Sequence, residues 1–141
     1  MTNDKRDLLT VLRTELEFLE SGGYRNAARA SWRPQFVFQD SPTCLNFDPT
    51  RQARPCSECI LTQLASEDMQ CKKYPCRYIP LNERGESIDS FYRSGTQEQL
   101  ESELARWLRA NIERLEKQKA RNKWASEAIE IHVRATGRLA E

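Results

Sequence analysis

Five cysteines crowd the middle of this chain: Cys44 in "SPTCLNF", Cys56 and Cys59 in "RPCSEC", Cys71 in "EDMQCKK" and Cys76 in "YPCRYIPL". Cys56 and Cys59 form a C-x-x-C pair, a spacing that lets two thiolates of one tight turn reach a single ion at ~2.3 Å while backbone N–H groups point at the sulfurs. Ser57 and Glu58 between them supply neither a glycine to ease the turn nor a lysine to offset the charge. The other half of a four-ligand site has two versions. Cys71 and Cys76 give a C-x4-C pair and a sequential site, or Cys44 joins Cys76 and the metal ties three separated segments together. Cys44 and Cys76 both sit beside prolines and lead into apolar residues, whereas Cys71 lies in a charged stretch. The expected ligand set is therefore Cys44, Cys56, Cys59 and Cys76, with Cys71 as the alternate ligand.

Four thiolates suit zinc without any cluster assembly, so zinc is the expected cofactor; an iron–sulfur cluster uses the same ligands and is the alternative. Catalytic zinc keeps a position open for water, and four protein thiolates leave none, so the site reads as structural. A redox dithiol is a further alternative, although the βαβ unit in which C-x-x-C usually opens a helix is missing. The simplest competing reading treats the thiols as small buried apolar side chains.

No other constellation suggests catalysis. His132 is the only histidine and lies on an expected helix surface far along the chain from the cysteines. The helical carboxylates are interspersed with bases, as in Glu113 with Lys117 and Glu130 with Arg134, an i,i+4 order that suits a solvated face. The Gly22–Gly23 pair sits where a helix ends and makes no phosphate loop. An enzyme is not expected.

Two basic clusters offer a nucleic-acid reading. Arg25, Arg29 and Arg33 interleave with Tyr24 and Trp32, and Lys117, Lys119, Arg121 and Lys123 add a second contact. Against it, Lys plus Arg number 22 and Asp plus Glu 21, so the chain has no global field to condense on phosphate. No apolar run approaches the ~18 residues that cross a bilayer, and an odd number of cysteines suits reduced thiols, so a cytoplasmic location is expected.

The elements that must position these residues are mostly short. Leu8, Leu12, Leu16 and Leu19 stand on one stripe of a helix expected over 3–20, capped by Thr2, Asn3 or Asp4 and closed by Ser21 to Gly23. "FVFQD" at 36–40 and "RYIPL" at 77–81 read as short strands, the second an edge strand because of Pro80. "CILTQLA" reads as a turn or two of helix from Cys59, "NERGES" as a turn, and "IDSFYR" as a short helix capped by Ser87. "TQEQ" at Thr96 is a capping box that opens a long helix with Leu100, Leu104, Trp107, Leu108, Ile112 and Leu115 on one stripe. That stripe fades into "EKQKARNK", and a second amphipathic piece from Trp124 runs to Gly137.

The strings "FQDSPTCLNF", "PCSEC" and "PCRYIPL", ahead of "GTQEQLE", resemble those of small uncharacterised bacterial proteins over roughly residues 32 to 115. The resemblance implies no activity. It implies cysteines at the positions of Cys44, Cys56, Cys59 and Cys76, with Cys71 a departure.

Together these readings predict one α+β domain: an N-terminal helix over 1–23, a zinc-stabilised cysteine-rich centre with short strands over 24–95, and a C-terminal helical arm over 96–141. The expected function is that of a non-catalytic zinc-binding interaction protein or accessory subunit that meets a protein partner through the helix from Thr96. The same seam allows a homo-oligomer. Alternatives are a nucleic-acid or ribosome-associated zinc protein and an iron–sulfur or dithiol redox protein.

Overall fold

A computed structural model describes residues 4–25 and 36–136, with side chains through Ile129. Its frame is a pair of long helices. Helix α1 spans Leu8–Glu20 and buries Leu9, Val11, Leu12 and Leu19. Asp7 caps it, its carboxylate accepting from the Thr10 N–H at 3.3 Å. The helix starts with its apolar stripe at Leu8 and not at residue 3 as expected; Asp4, an expected cap, is engaged elsewhere, as described below.

After the irregular segment that follows α1 come helix α2, Ile88–Ser94, and helix α3, Gln97–Thr136. Ser87 and Ser90 cap α2 reciprocally, the Ser90 N–H donating to Ser87 Oγ at 3.3 Å and the Ser87 N–H to Ser90 Oγ at 2.6 Å. The capping box at Thr96 forms as expected: Gln99 N–H donates to Thr96 Oγ1 at 3.1 Å, and Thr96 N–H to Gln99 Oε1 at 3.0 Å. From there Leu100, Leu104, Leu108 and Ile112 turn inward and are buried against α1. Ion pairs Arg25–Glu101, Arg109–Glu20 and Arg13–Glu116 climb the two helices in opposite senses, so α1 and α3 run antiparallel.

At 40 residues α3 is ~60 Å long, far longer than α1. Every described side chain from Glu116 to Ile129 is exposed, including Trp124 and Ile129. Among the described residues no helix is long and apolar enough to cross a membrane.

The expected α+β class is corrected here: among the described residues there is no sheet, and the only β pairing is a single antiparallel bridge between Pro80 and Ser87. Residues 36–40 form turns where a strand was expected. Side-chain acceptors take the place of a strand partner: Phe36 N–H donates to Asp40 Oδ2 at 2.6 Å, Val37 N–H to Tyr92 Oη at 2.8 Å and Phe38 N–H to Tyr24 Oη at 2.9 Å. Phe38 adopts φ 64°, rare for an aromatic residue, and its ring is 1% exposed, so burial and these bonds hold it there. The second expected strand begins instead as a 3-10 turn, Pro75–Tyr78. Cys59 likewise precedes a 3-10 turn, Ile60–Leu64, and no α-helix. The "NERGES" turn does form, with Gly85 at φ 76° and Leu81 N–H donating to the Glu86 carbonyl at 2.7 Å.

Candidate metal centre

The irregular centre brings four of the five cysteines to one place. Cys44, Cys56, Cys59 and Cys76 line a single cavity of about 180 Å³, with Phe38, Leu61 and Pro75 among its buried walls. Cys71 is outside it, exposed, its sulfur 3.4 Å from the Asp68 carbonyl.

Local hydrogen bonding explains how the segments meet. Asn46 closes the loop between the first two cysteines: its Nδ2 donates to the Arg54 carbonyl at 2.8 Å, and Arg54 N–H donates to Asn46 Oδ1 at 2.7 Å. This two-way clasp turns the chain back so that Cys56 approaches Cys44. Cys56 then opens a 3-10 turn in which Cys59 N–H donates to the Cys56 carbonyl at 3.0 Å, and Thr62 Oγ1 donates to the same carbonyl at 2.6 Å. Cys76 follows the fully buried Pro75, which fixes its turn against the core.

Two sulfurs receive backbone donors from two residues further on. Asn46 N–H reaches Cys44 Sγ at 3.4 Å, and Leu61 N–H is bonded to the Cys59 sulfur. Such N–H contacts are how a turn supports a thiolate ligand.

The N-terminal residues latch onto the same region, which the sequence reading did not foresee. Arg6 Nη1 donates to the Thr43 carbonyl at 2.6 Å, and Arg6 Nη2 lies 3.9 Å from Cys59 Sγ. Asp4 pairs with Arg6 at 2.7 Å and accepts from Ile60 N–H at 3.0 Å. The carboxylate is 1% exposed. Burial alone raises its pKa, but the Arg6 and Ile60 bonds outweigh this and hold it down at about 2. One arginine–aspartate pair therefore joins the Cys44 loop to the Cys59 turn. Residues so far apart in the chain carry no local signature of this contact.

Behind the Cys44 loop lies a buried polar cluster, also missed. Glu15 is fully buried on the inner face of α1 and accepts from Tyr24 Oη at 2.5 Å, Ser41 Oγ at 2.7 Å and Thr43 Oγ1 at 3.1 Å. Burial pushes its carboxyl up to about 7, against the three hydrogen bonds that favour the charged form. The signal was available: Glu15 occupies the stripe position between Leu12 and Leu19, where a carboxylate has no place unless partners await it.

Burial raises the Cys56 and Cys59 thiols and pushes Cys76 up to about 12, with the neighbouring cysteines adding to the effect. Cys76 is half-buried and lines the cavity. Arg77, beside Cys76, lies against three rings, 4.6 Å from the centroid of Phe36, 4.9 Å from Tyr74 and 5.6 Å from Tyr92, and donates to Gln39 Oε1 at 2.6 Å.

The zinc-stabilised centre expected from sequence is corrected together with the fold class. Among the described residues no group of three or more His, Cys, Asp or Glu side chains is placed to hold a single metal ion.

Of the basic candidates, Arg25 is paired with Glu101 at 3.0 Å and Lys117 with Glu113 at 2.9 Å. Lys119, Arg121 and Lys123 are exposed along α3, and Arg29, Arg33 and the side chain of His132 lie outside the described residues. No family model, no curated protein and no solved structure matches this chain.

Proposed function

We propose that this chain is a non-catalytic accessory protein in which Cys44, Cys56, Cys59 and Cys76 ligate a metal cofactor and the exposed part of α3 meets a protein partner. The observation that carries the reading is the convergence of four cysteines, from three separate turns, on one cavity that excludes the fifth. Backbone N–H donors at Cys44 and Cys59, and Arg6 beside Cys59, support thiolate charge there. With all four thiols spent as ligands, no position is left for a substrate.

The partner reading rests on α3. Its exposed stretch displays Trp124 and Ile129, large apolar side chains of a kind enriched at interfaces, among alternating charges. The pairing of Arg25 and Lys117 with carboxylates favours this reading over nucleic-acid binding.

Elemental analysis of purified protein beside single Cys→Ser variants tests the metal. Stoichiometric metal that is lost with Cys44, Cys56, Cys59 or Cys76 and kept in Cys71→Ser is the expected outcome. Protein that takes up no metal from zinc or iron salts would sink the reading.

A further inference from the structure

We propose that Glu15 works a proton-operated latch: its protonated carboxyl holds the turns from Phe38 to Cys44 against α1, and loss of that proton to solvent releases them. Counting hydrogens carries the proposal, which needs no metal at the cysteines. Four oxygen–oxygen contacts close the buried cluster. Tyr24 Oη lies 2.5 Å from Glu15 Oε2, Ser41 Oγ 2.7 Å and Thr43 Oγ1 3.1 Å from Glu15 Oε1, and Ser41 Oγ 2.6 Å from Thr43 Oγ1. Each contact needs a hydrogen between its oxygens, and each of the three hydroxyls brings only one. The fourth is the carboxyl's own. With Glu15 protonated, its O–H donates to Ser41, Ser41 donates to Thr43, Thr43 donates back to Oε1, and Tyr24 donates to Oε2. With Glu15 ionised, one of the four contacts sets lone pair against lone pair in a site closed to water.

No counter-ion replaces the missing proton. Among the described residues Glu15 is hydrogen-bonded to Tyr24, Ser41 and Thr43 alone, and Tyr24, the titratable one, is itself raised by burial beside Glu15. The charges on neighbouring segments are engaged elsewhere. Arg109 and Glu116 of α3 pair with Glu20 and Arg13 on exposed faces, Arg25 pairs with Glu101, Arg6 with Asp4, and Asp40 accepts from Phe36 N–H. The turns that the latch holds also carry strain. Phe38 sits at φ 64°, and its N–H is tied to the same Tyr24 oxygen at 2.9 Å. Ser41 N–H then donates to the Phe38 carbonyl at 3.2 Å and Cys44 N–H to the Ser41 carbonyl at 3.1 Å. Phe38 and Cys44 both line the cysteine cavity, so release of these turns moves its wall.

The test is amide hydrogen exchange of the full chain at about pH 5.5 and about pH 8.5, expressed as protection relative to the unfolded rate at each pH. Protection at Ser41 and Cys44 is expected to fall about thirtyfold, the consequence of a carboxyl near 7 in the closed turns and at the ordinary glutamate value in the released ones, with a smaller fall at residues 100–112. In Glu15→Gln the amide N–H supplies the fourth hydrogen at either pH, so protection should be the same at both. Unchanged protection in the wild type, an equal fall in both regions, or a fall in Glu15→Gln that parallels the wild type overturns the latch. Should the variant not fold, a carbon-13 titration of the wild-type Glu15 carboxyl decides: a transition near neutral pH is expected, and one complete below about pH 5 overturns the proposal.

Discussion

The α1–α3 pair and the segment from Phe36 to Ser87 are ordered by different physics. In the helix pair, backbone groups satisfy one another and stability comes from a periodic stripe, Leu100, Leu104, Leu108 and Ile112 against Leu9, Leu12 and Leu19. In the centre, short turns leave backbone groups that side chains must satisfy, as Asp40, Tyr92, Tyr24, Asn46, Thr62 and Asp4 do. The first kind of order is distributed over many equivalent contacts, and the second hangs on single, irreplaceable ones. A metal cofactor at the cysteines would act on the second kind alone.

The largest expected effect strikes the helix pair. Leu104→Ala leaves a cavity in a fully buried layer and should cost about 3 to 4 kcal/mol in urea unfolding. If the centre depends on the helices for its floor, it will unfold in the same transition. Separate transitions by tyrosine absorbance and circular dichroism would instead divide the molecule at this boundary.

Next comes Glu15, the buried contact that links the two regions. Its carboxyl is raised to about 7 in the folded chain, so the folded state binds the proton more tightly than the unfolded one. The associated stability is present in full below the ordinary glutamate range and is lost as pH rises through about 7, by on the order of 3 kcal/mol. Glu15→Gln keeps hydrogen-bonding capacity for Tyr24, Ser41 and Thr43 and should flatten this slope between pH 5 and pH 8. An unchanged slope would mean that another group titrates.

Asp4→Ala should have a smaller, regional effect of about 2 kcal/mol, since it strips the acceptor from Ile60 N–H and leaves Arg6 without its partner. Hydrogen exchange should accelerate at Ile60 and around Cys59 while amides of residues 100–112 keep their protection. Equal acceleration in both regions would erase the distinction between them. The smallest change is Thr96→Ala, which removes one side of the capping box and should cost about 1 kcal/mol, seen as fraying confined to the first turn of α3.

Much of this molecule was legible in the sequence where the determinants are local. The Thr96 cap, the Ser87 cap, the "NERGES" turn and the α3 stripe each depend on residues within a few positions of one another. The strands failed for the converse reason. "FVFQD" and "RYIPL" have the composition of strands, but β pairing needs a partner strand: in the first, the Asp40, Tyr92 and Tyr24 side chains take the N–H groups, and in the second, the Arg77, Ile79 and Leu81 N–H groups go to the Tyr74, Cys76 and Glu86 carbonyls of local turns. The start of α1 was misplaced because Asp4, a competent cap by type, is taken by Arg6 and Ile60.

What the sequence determined alone is where α2 and α3 begin and that cysteines crowd one stretch of chain, since capping, periodicity and spacing are short-range properties. Which thiols share a cavity was decided by tertiary structure: the Asn46–Arg54 clasp, the Asp4–Arg6 latch and the burial of Pro75 act between segments that no local rule connects. The lining of that cavity, too, belongs to packing, because a spacing pattern counts residues along the chain while the walls Phe38, Leu61 and Pro75 come from three separate segments.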